Sequence, residues 1–218
     1  MDKSRIEQRP AAPGNYAPGR GGVKPDRVVI HVADGTYRGT LAWFADPRCD
    51  VSAHFTVSSE GKIGQSVNMN DTAFHSGKWA MNQRSIGIEH EGQPSKGPWT
   101  PTEAQLRASA DLVAWVCSEY GIRPDREHII GHHEVNPGRA ARKNCPGPTW
   151  PWPRFIEMVQ ERLAVKVVPA PAHQPSASDK RSVQLYSANT GEVLCVASLI
   201  EGTTKVYVDV DVLKLALK

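Results

Sequence analysis

Two histidines and one cysteine in this chain have the residue types of a metal site. His31 follows an apolar run at positions 27–30, His132 follows a glycine, and Cys145 lies between an asparagine and a proline. Zinc binds imidazole nitrogen and thiolate sulfur, and three protein ligands leave one tetrahedral position for water. The set therefore indicates a catalytic zinc site, although unrelated residues would match the same spacing fairly often.

A rigid element must hold such a ligand, and the sequence around His31 predicts one. Residues 27–32 are almost continuously apolar, which is typical of a central strand that is buried on both faces. Another strand is predicted over residues 85–91, where two isoleucines alternate with a glycine and Glu89. Glu89 is therefore expected on the face opposite the isoleucines.

The remaining pattern predicts more strands and helices. Strands are expected over 53–59 and 62–67, a short helix over 40–44 and a longer helix over 153–164. The clearest helix begins at a Thr100 cap and ends at Gly121. Its apolar stripe consists of Leu106, Ala110, Val113 and Cys117. Strands interspersed with helices predict an α/β fold with a central mixed β-sheet flanked by helices.

The composition divides the chain into four parts. These are a flexible N-terminal tail over 1–22, the α/β domain over 23–165, a Pro/Ala/Ser linker over 166–180 and a small β module over 181–218. The module is expected to form three strands over 183–186, 193–198 and 205–210. So few residues make a marginal independent domain, and its role remains open between binding, oligomerisation and stabilisation of the main domain.

Charge and hydropathy exclude several classes of function. A formal net charge of +3 among 218 residues is too small to indicate nucleic-acid binding, and no apolar run is long enough to insert into a membrane. Residues 1–22 lack the apolar segment of a secretory signal, so the chain is expected to start in the cytoplasm. The cysteines show no disulfide framework; Cys117 is expected in a helix core, whereas Cys49 and Cys195 have no assigned role.

Five motifs in order resemble one known family. They are Val29-Ile30-His31, Val51-Ser52-Ala53-His54-Phe55, Ala73-Phe74-His75-Ser76-Gly77, Ser85-Ile86-Gly87-Ile88-Glu89, and Gly131-His132-His133-Glu134 followed by Lys143-Asn144-Cys145-Pro146. The chain is similar to the zinc-dependent N-acetylmuramoyl-L-alanine amidases of the phage-lysozyme and peptidoglycan-recognition-protein superfamily. The resemblance covers roughly residues 28–155.

The resemblance implies roles for the motif residues. It implies that His31, His132 and Cys145 bind Zn²⁺, and His132 is preferred over the adjacent His133 because the family places its ligand directly after glycine. It further implies that Lys143 stabilises an oxyanion.

The resemblance also suggests which group activates the water. Glu89 is implied as the base, as in family branches that carry Ile-Gly-Ile-Glu. Other members have a tyrosine where this chain has Ala53, so any step that the tyrosine assists lacks its residue here, and Glu89 is the expected base. Two more residues are expected near the substrate: His75, which would contact substrate or the zinc-bound water unless it is an ordinary loop histidine, and Trp79, which would line a sugar or peptide groove.

The expected function is hydrolysis of the amide bond between N-acetylmuramic acid and L-alanine in bacterial cell-wall peptidoglycan. The arrangement resembles a phage endolysin that accumulates in the host cytoplasm and reaches the wall after release, with residues 181–218 binding wall polymer or joining two chains. Three alternatives remain: a cytoplasmic amidase that recycles anhydro-muropeptides, a peptidoglycan-binding protein without activity, and a structural zinc site with His133 or His54 as fourth ligand.

Overall fold

A computed structural model describes residues 3–135 and 144–164, together with the backbone of four strands between residues 166 and 207. The chain divides into two compact units, Met1–Val159 and Gln160–Lys218. Every described residue that the sequence assigns to chemistry lies in the first unit.

Within the described residues, the first unit contains eight strands and five α-helices, the last of which continues into the second unit. The strands are β1 (Ile6–Gln8), β2 (Tyr16–Ala17), β3 (Arg27–Val32), β4 (Phe55–Val57), β5 (Ile63–Gln65), β6 (Thr72–Ala73), β7 (Ser85–His90) and β8 (Ile129–Gly131). The helices are α1 (Tyr37–Ala45), α2 (Trp79–Arg84), α3 (Glu103–Tyr120), α4 (His132–Val135) and α5 (Trp152–Leu163), and short 3-10 turns cover Lys3–Arg5 and Pro94–Lys96.

Six of these strands form the central sheet in the order β1-β5-β4-β7-β3-β8. β4, β7, β3 and β8 run parallel, whereas β5 pairs antiparallel with β4 and β1 pairs parallel with β5. The predicted mixed sheet flanked by helices is confirmed. β2 and β6 form a separate two-stranded ribbon.

The register of β3 against β7 gives the sheet two different faces. Ile30 pairs with Ile88, and His31 pairs with Glu89. Because side chains alternate along a strand, the isoleucines share one face and the two polar residues share the other. The apolar face carries Phe55, whose ring lies 6.0 Å from that of Trp115 in α3.

Helix α1 packs on the opposite face of the sheet. Gly64, which pairs with Thr56 and is therefore on the polar face, lies so close to α1 that an added Cβ would be 2.9 Å from the Tyr37 hydroxyl and 3.1 Å from Leu41. The predicted short helix is confirmed and is longer than expected. α1 and α3 thus sandwich the sheet, and the polar side chains of β3 and β7 lie on the α1 side.

The first residues of the chain are part of this fold. β1 extends the sheet at β5, and Ala11 and Ala12 are buried. Arg20 is 7% exposed, and its guanidinium donates to the backbone carbonyls of Met69, Asn82, Gln83 and Ser85. The prediction of a flexible tail over residues 1–22 is therefore wrong for residues 3–22, because backbone pairing and a buried cation, neither of which produces an apolar pattern, hold the segment.

The long helix matches its prediction except at its first turn. Its stripe Leu106, Ala110, Val113 and Cys117 is buried, and Gly121 ends it in the left-handed conformation with φ 70°. The helix begins two residues later than expected, because the Thr102 side chain accepts a hydrogen bond from the Gln105 amide. Thr102 is therefore the cap, and the predicted Thr100 cap is wrong.

The second unit contains four antiparallel strands in the order β12-β11-β10-β9. They are β9 (Lys166–Pro169), β10 (Ser182–Tyr186), β11 (Val193–Leu199) and β12 (Val206–Tyr207). The three predicted strands are present, but the first residues of the predicted linker form β9 and pair with β10. The rest of the linker, 170–180, lies outside the described residues. Nowhere in the described chain is a helix both long and apolar enough to cross a bilayer.

Candidate metal centre

The three predicted ligands come together at the carboxyl end of the parallel strands. His31, His132 and Cys145 each offer a ligand atom, and these atoms lie within 4.8 Å of one another. β8 pairs with β3 so that Gly131 is opposite Ile30, which puts His132, the next residue, beside His31. The imidazole centroids are 4.5 Å apart.

Each histidine of the cluster uses its Nε2 within the protein. His31 Nε2 lies 3.0 Å from His75 Nδ1, and His132 Nε2 lies 3.3 Å from the Ser76 carbonyl oxygen. Such partners fix the ring orientation of metal-binding histidines and determine which nitrogen faces the metal. In His31, the contact at Nε2 leaves Nδ1, on the side of Glu89, as the nitrogen that would face a metal.

The Cys145 sulfur lies against the backbone of Val32, whose carbonyl oxygen is 3.9 Å away. The Val32 backbone N–H donates to the Cys145 sulfur at 3.2 Å, and the cysteine is 7% exposed. Its carbonyl oxygen accepts from the His133 amide at 3.0 Å and lies 2.9 Å from His133 Nδ1. Gly131 allows this packing, since an added Cβ would lie 2.8 Å from His133 Nδ1 and 2.9 Å from Pro146 Cδ.

The two alternative ligands have partners elsewhere. His133 contacts the Cys145 carbonyl as described above. His54 is fully buried, accepts from the Gly87 amide through Nδ1, and has Arg20 2.7 Å from its Nε2. Because Nδ1 of His133 and both ring nitrogens of His54 are directed to these groups, the geometry does not favour either residue as a fourth ligand.

Glu89 lies at the edge of the cluster and faces a cavity. Its Oε1 is 3.8 Å from His31 Nδ1, and its side chain is 16% exposed. The cavity has a volume of about 330 Å³ and includes Trp43 and Val51, which are 55% and 39% exposed. A carboxylate, a potential metal position and an open groove are therefore adjacent.

Burial favours the neutral form of His31 and His75. Burial, together with repulsion from neighbouring histidines, holds the pKa of His31 well below its ordinary value. The same causes and the charge of Arg20 lower the pKa of His75 to about 3. Neutral imidazole is the form that binds metal ions, so His31 is in its metal-binding form at neutral pH.

The other predicted site residues have different outcomes. Lys143 lies outside the described residues. Trp79 is 54% exposed beside Phe74, so its predicted contact with substrate stays a prediction. His75, however, is only 9% exposed and its ring nitrogens face His31 and Ser85. Both nitrogens are therefore directed into the protein, as in the alternative of an ordinary loop histidine, and its contact with substrate or zinc-bound water stays a prediction.

Sequence reasoning missed the residues that surround the ligands. Ser76 and Ser85 contact His132 and His75 through a carbonyl and a hydroxyl, and neither contact leaves a periodic signal. Ala53, where the family has tyrosine, is fully buried in a small cluster with Phe44 and Val67. That position therefore supplies packing.

A second group of potential metal ligands is present on the surface. This group consists of Asp125, Glu127 and His128, whose potential ligand atoms lie within 4.8 Å of one another. These residues are already bonded locally, since Asp125 contacts His128 at 2.6 Å and Glu127 pairs with Arg123 at 2.7 Å. Only the first cluster combines buried imidazole and thiolate donors among the described residues.

Comparison with known proteins agrees with this geometry. The profile of the N-acetylmuramoyl-L-alanine amidase family matches residues 21–148, which is more than half of the chain and includes all three clustered ligands. The chain belongs to this family.

Individual relatives of this amidase cover most of its first unit. N-acetylmuramoyl-L-alanine amidase A of Achromobacter lyticus is 29% identical over 168 residues, which cover 69% of this chain and 90% of the relative. The 1,6-anhydro-N-acetylmuramyl-L-alanine amidase AmpD of Salmonella typhimurium is 31% identical over 62% of this chain and 81% of its own. A crystal structure of a selenomethionine AmpD derivative superimposes with a TM-score of 0.60 at 25% identity, covering 72% of this chain and 95% of that one.

Proposed function

We propose that this protein is a zinc-dependent N-acetylmuramoyl-L-alanine amidase that hydrolyses the bond between N-acetylmuramic acid and L-alanine in peptidoglycan. The observation that carries the proposal is the convergence of His31, His132 and Cys145 beside Glu89. Membership of the amidase family supports the reaction class.

The donor set fits zinc. Two imidazoles and a thiolate match the preference of a borderline-soft cation, and the Val32 N–H at the sulfur stabilises negative charge there. His31, His132 and Cys145 would hold the ion. When bound, zinc supplies a water of lowered pKa and polarises the amide carbonyl.

Glu89 is the proton-transfer group in this proposal. Its carboxylate is 3.8 Å from His31 Nδ1 and faces the cavity. A base in this position takes a proton from the attacking water and returns it to the leaving L-alanine nitrogen. The exposed rings and methyl groups of Trp43 and Val51 give the cavity apolar walls for the substrate. Stabilisation of the oxyanion by Lys143 stays a prediction from the sequence.

The direct test is incubation of purified protein with intact peptidoglycan and analysis of the released ends. New L-alanine amino termini that vanish with a chelator and return with zinc would support the proposal. Wall sedimentation of the protein without new termini would contradict it and favour the non-catalytic binding protein. New reducing sugar ends would point to a different bond.

A second candidate function is recycling of soluble anhydro-muropeptides. It is favoured by the AmpD relative, whose name specifies a 1,6-anhydro-N-acetylmuramyl substrate. Turnover of soluble anhydro-muropeptide and of intact walls should be compared at equal enzyme concentration. A strong preference for the soluble fragment would favour recycling over wall lysis as the function of this protein.

The location and assembly of the protein are further proposals. We propose that the protein is made in the host cytoplasm and acts at the wall after release. Cells that contain the protein in their cytoplasm should therefore stay intact and should lyse once the membrane is permeabilised. The second unit would bind wall polymer or join two chains. Light scattering of the full chain and of a variant ending at residue 165, together with wall sedimentation, separates these roles.

A further inference from the structure

The histidine behind the metal centre is part of a chain of hydrogen bonds that ends on the backbone. His31 Nε2 is 3.0 Å from His75 Nδ1, and His75 Nε2 is 3.1 Å from the Ser85 hydroxyl. The Ser85 hydroxyl lies 2.5 Å from the Met81 carbonyl oxygen. We refer to His31, His75, Ser85 and Met81 as the histidine–serine chain.

The end of the chain fixes the direction of every bond in it. A backbone carbonyl only accepts, so the Ser85 hydroxyl donates its proton to Met81. The Ser85 oxygen then accepts from His75 Nε2–H. A neutral imidazole carries one proton, so His75 Nδ1 accepts and His31 Nε2 donates. His31 Nδ1 is left with its lone pair, on the side of Glu89.

The fold makes room for His75 in this position. An added Cβ at Gly87 would lie 2.4 Å from His75 Cγ, so the ring rests on the glycine backbone. The next residue, Ser76, places its carbonyl oxygen 3.3 Å from His132 Nε2. Two consecutive residues therefore orient two of the clustered ligands, one through a side chain and one through the backbone.

We propose that His75 and Ser85 are positioning residues that select the Nε2–H tautomer of His31 and so present its Nδ1 lone pair to the metal before the metal binds. The inference rests on the proposed metal site. It assigns His75 a role behind the ligand, where the sequence suggested contact with substrate. Loss of a hydrogen-bond partner of this kind weakens metal affinity by about 10–100-fold.

Zinc affinity, measured by competition with a chromophoric chelator on the full chain, is the main test. We expect His75→Leu to weaken zinc binding by about 10–100-fold. His75→Asn should recover most of the loss, because its amide oxygen can accept near the position of Nδ1. Ser85→Ala should have a smaller effect of the same sign, since His75 then loses the partner that fixes its own tautomer.

Ser109→Ala is the matched control. The Ser109 hydroxyl is also buried and lies 2.8 Å from Nε2 of another buried histidine, His90. It should leave zinc affinity unchanged. Thermal unfolding of each metal-free variant separates loss of affinity from loss of fold. If His75→Leu binds zinc as tightly as the parent, or if Ser109→Ala weakens binding as much as Ser85→Ala, the proposal is overturned.

A second measurement needs no metal and no activity. Long-range ¹H–¹⁵N spectra of the histidine rings should show the His31 proton on Nε2 in the metal-free parent and a mixture in Ser85→Ala. A proton on Nδ1 in the parent would overturn the proposal even if His75→Leu does not fold. If the parent shows the expected tautomer but does not bind zinc, the proposed function fails while the histidine–serine chain stands.

Discussion

The two faces of the central sheet are built from the same strands and serve different purposes. On the α3 side, Ile30 and Ile88 are fully buried among apolar side chains. On the α1 side, the neighbouring positions of β3 and β7 are His31 and Glu89, and the polar groups of a neighbouring loop surround them. One face therefore holds the strands together, and the other uses that rigidity to hold reactive groups at fixed distances.

The difference predicts that substitutions on the two faces separate into two kinds. Changes on the α3 side should alter the free energy of unfolding and leave the metal centre intact, whereas changes on the α1 side should alter zinc binding or turnover. The division would fail if a change on the α3 side altered zinc binding or turnover in the folded protein, or if a change on the α1 side altered only the free energy of unfolding.

The largest effect is expected for Cys145→Ser. A hydroxyl is a poor replacement for thiolate, so zinc and amidase activity should be lost together. Metal content and release of L-alanine termini measure the two losses. Cys117→Ser is the matched control, since Cys117 is a buried cysteine of α3. It should lower stability and retain zinc; normal zinc content in Cys145→Ser would remove that residue from the site.

Glu89→Gln should retain zinc and lose turnover by roughly 10²-fold or more, because glutamine cannot accept the proton. Glu91→Gln is its control two residues along the chain. The Glu91 carboxylate accepts from the Tyr37 amide at the start of α1 and from the Ser59 amide and hydroxyl. Turnover near the parent rate in Glu89→Gln, with zinc bound, would assign the base to another group.

A change on the apolar face tests the other side of the division. Leu112 of α3 is fully buried, and Leu112→Ala should lower the free energy of unfolding by about 2–5 kcal/mol. Urea unfolding measures this loss. Zinc affinity under conditions where the variant is fully folded should equal that of the parent. A tenfold weaker affinity would show that the two faces are coupled.

The smallest effect concerns pH. Burial alone would raise the pKa of Glu91, but the hydrogen bonds from Ser59 and Tyr37 outweigh it and lower the pKa below its ordinary value of 4.5. Its stabilising contribution is thus fully present above that value and is lost as pH falls through the lower pKa of the folded state. Glu91→Gln should lower the free energy of unfolding by about 1 kcal/mol at pH 7, as loss of a helix cap does. Below pH 4.5, the free energy of unfolding of the variant should depend less on pH than that of the parent.

The apolar face was predictable from the sequence and much of the polar face was not. The stripe from Leu106 to Cys117 and the run before His31 have the periods of a helix and a buried strand, so their positions followed directly. The family motifs also identified the clustered ligands. The contacts of His75 depend on a loop meeting β7 at Gly87, and no local pattern encodes that approach.

The N-terminal segment shows the same limit. Its attachment depends on backbone pairing in β1 and on one buried arginine, Arg20, which gives no hydrophobic period. The start of α3 also differs from its prediction, since the cap is Thr102, whose side chain accepts from the Gln105 amide, and not Thr100.

The pairing of β1 with β5 also has a consequence for how the protein is made. Ile6 pairs with Ile63, so the first strand leaves the ribosome before its partner exists and waits while 57 further residues are added. At roughly 5–20 residues per second, this interval lasts several seconds. Arg20 waits longer still, for the carbonyls at residues 82–85. β1 thus stays an unpaired strand until β5 has been synthesised.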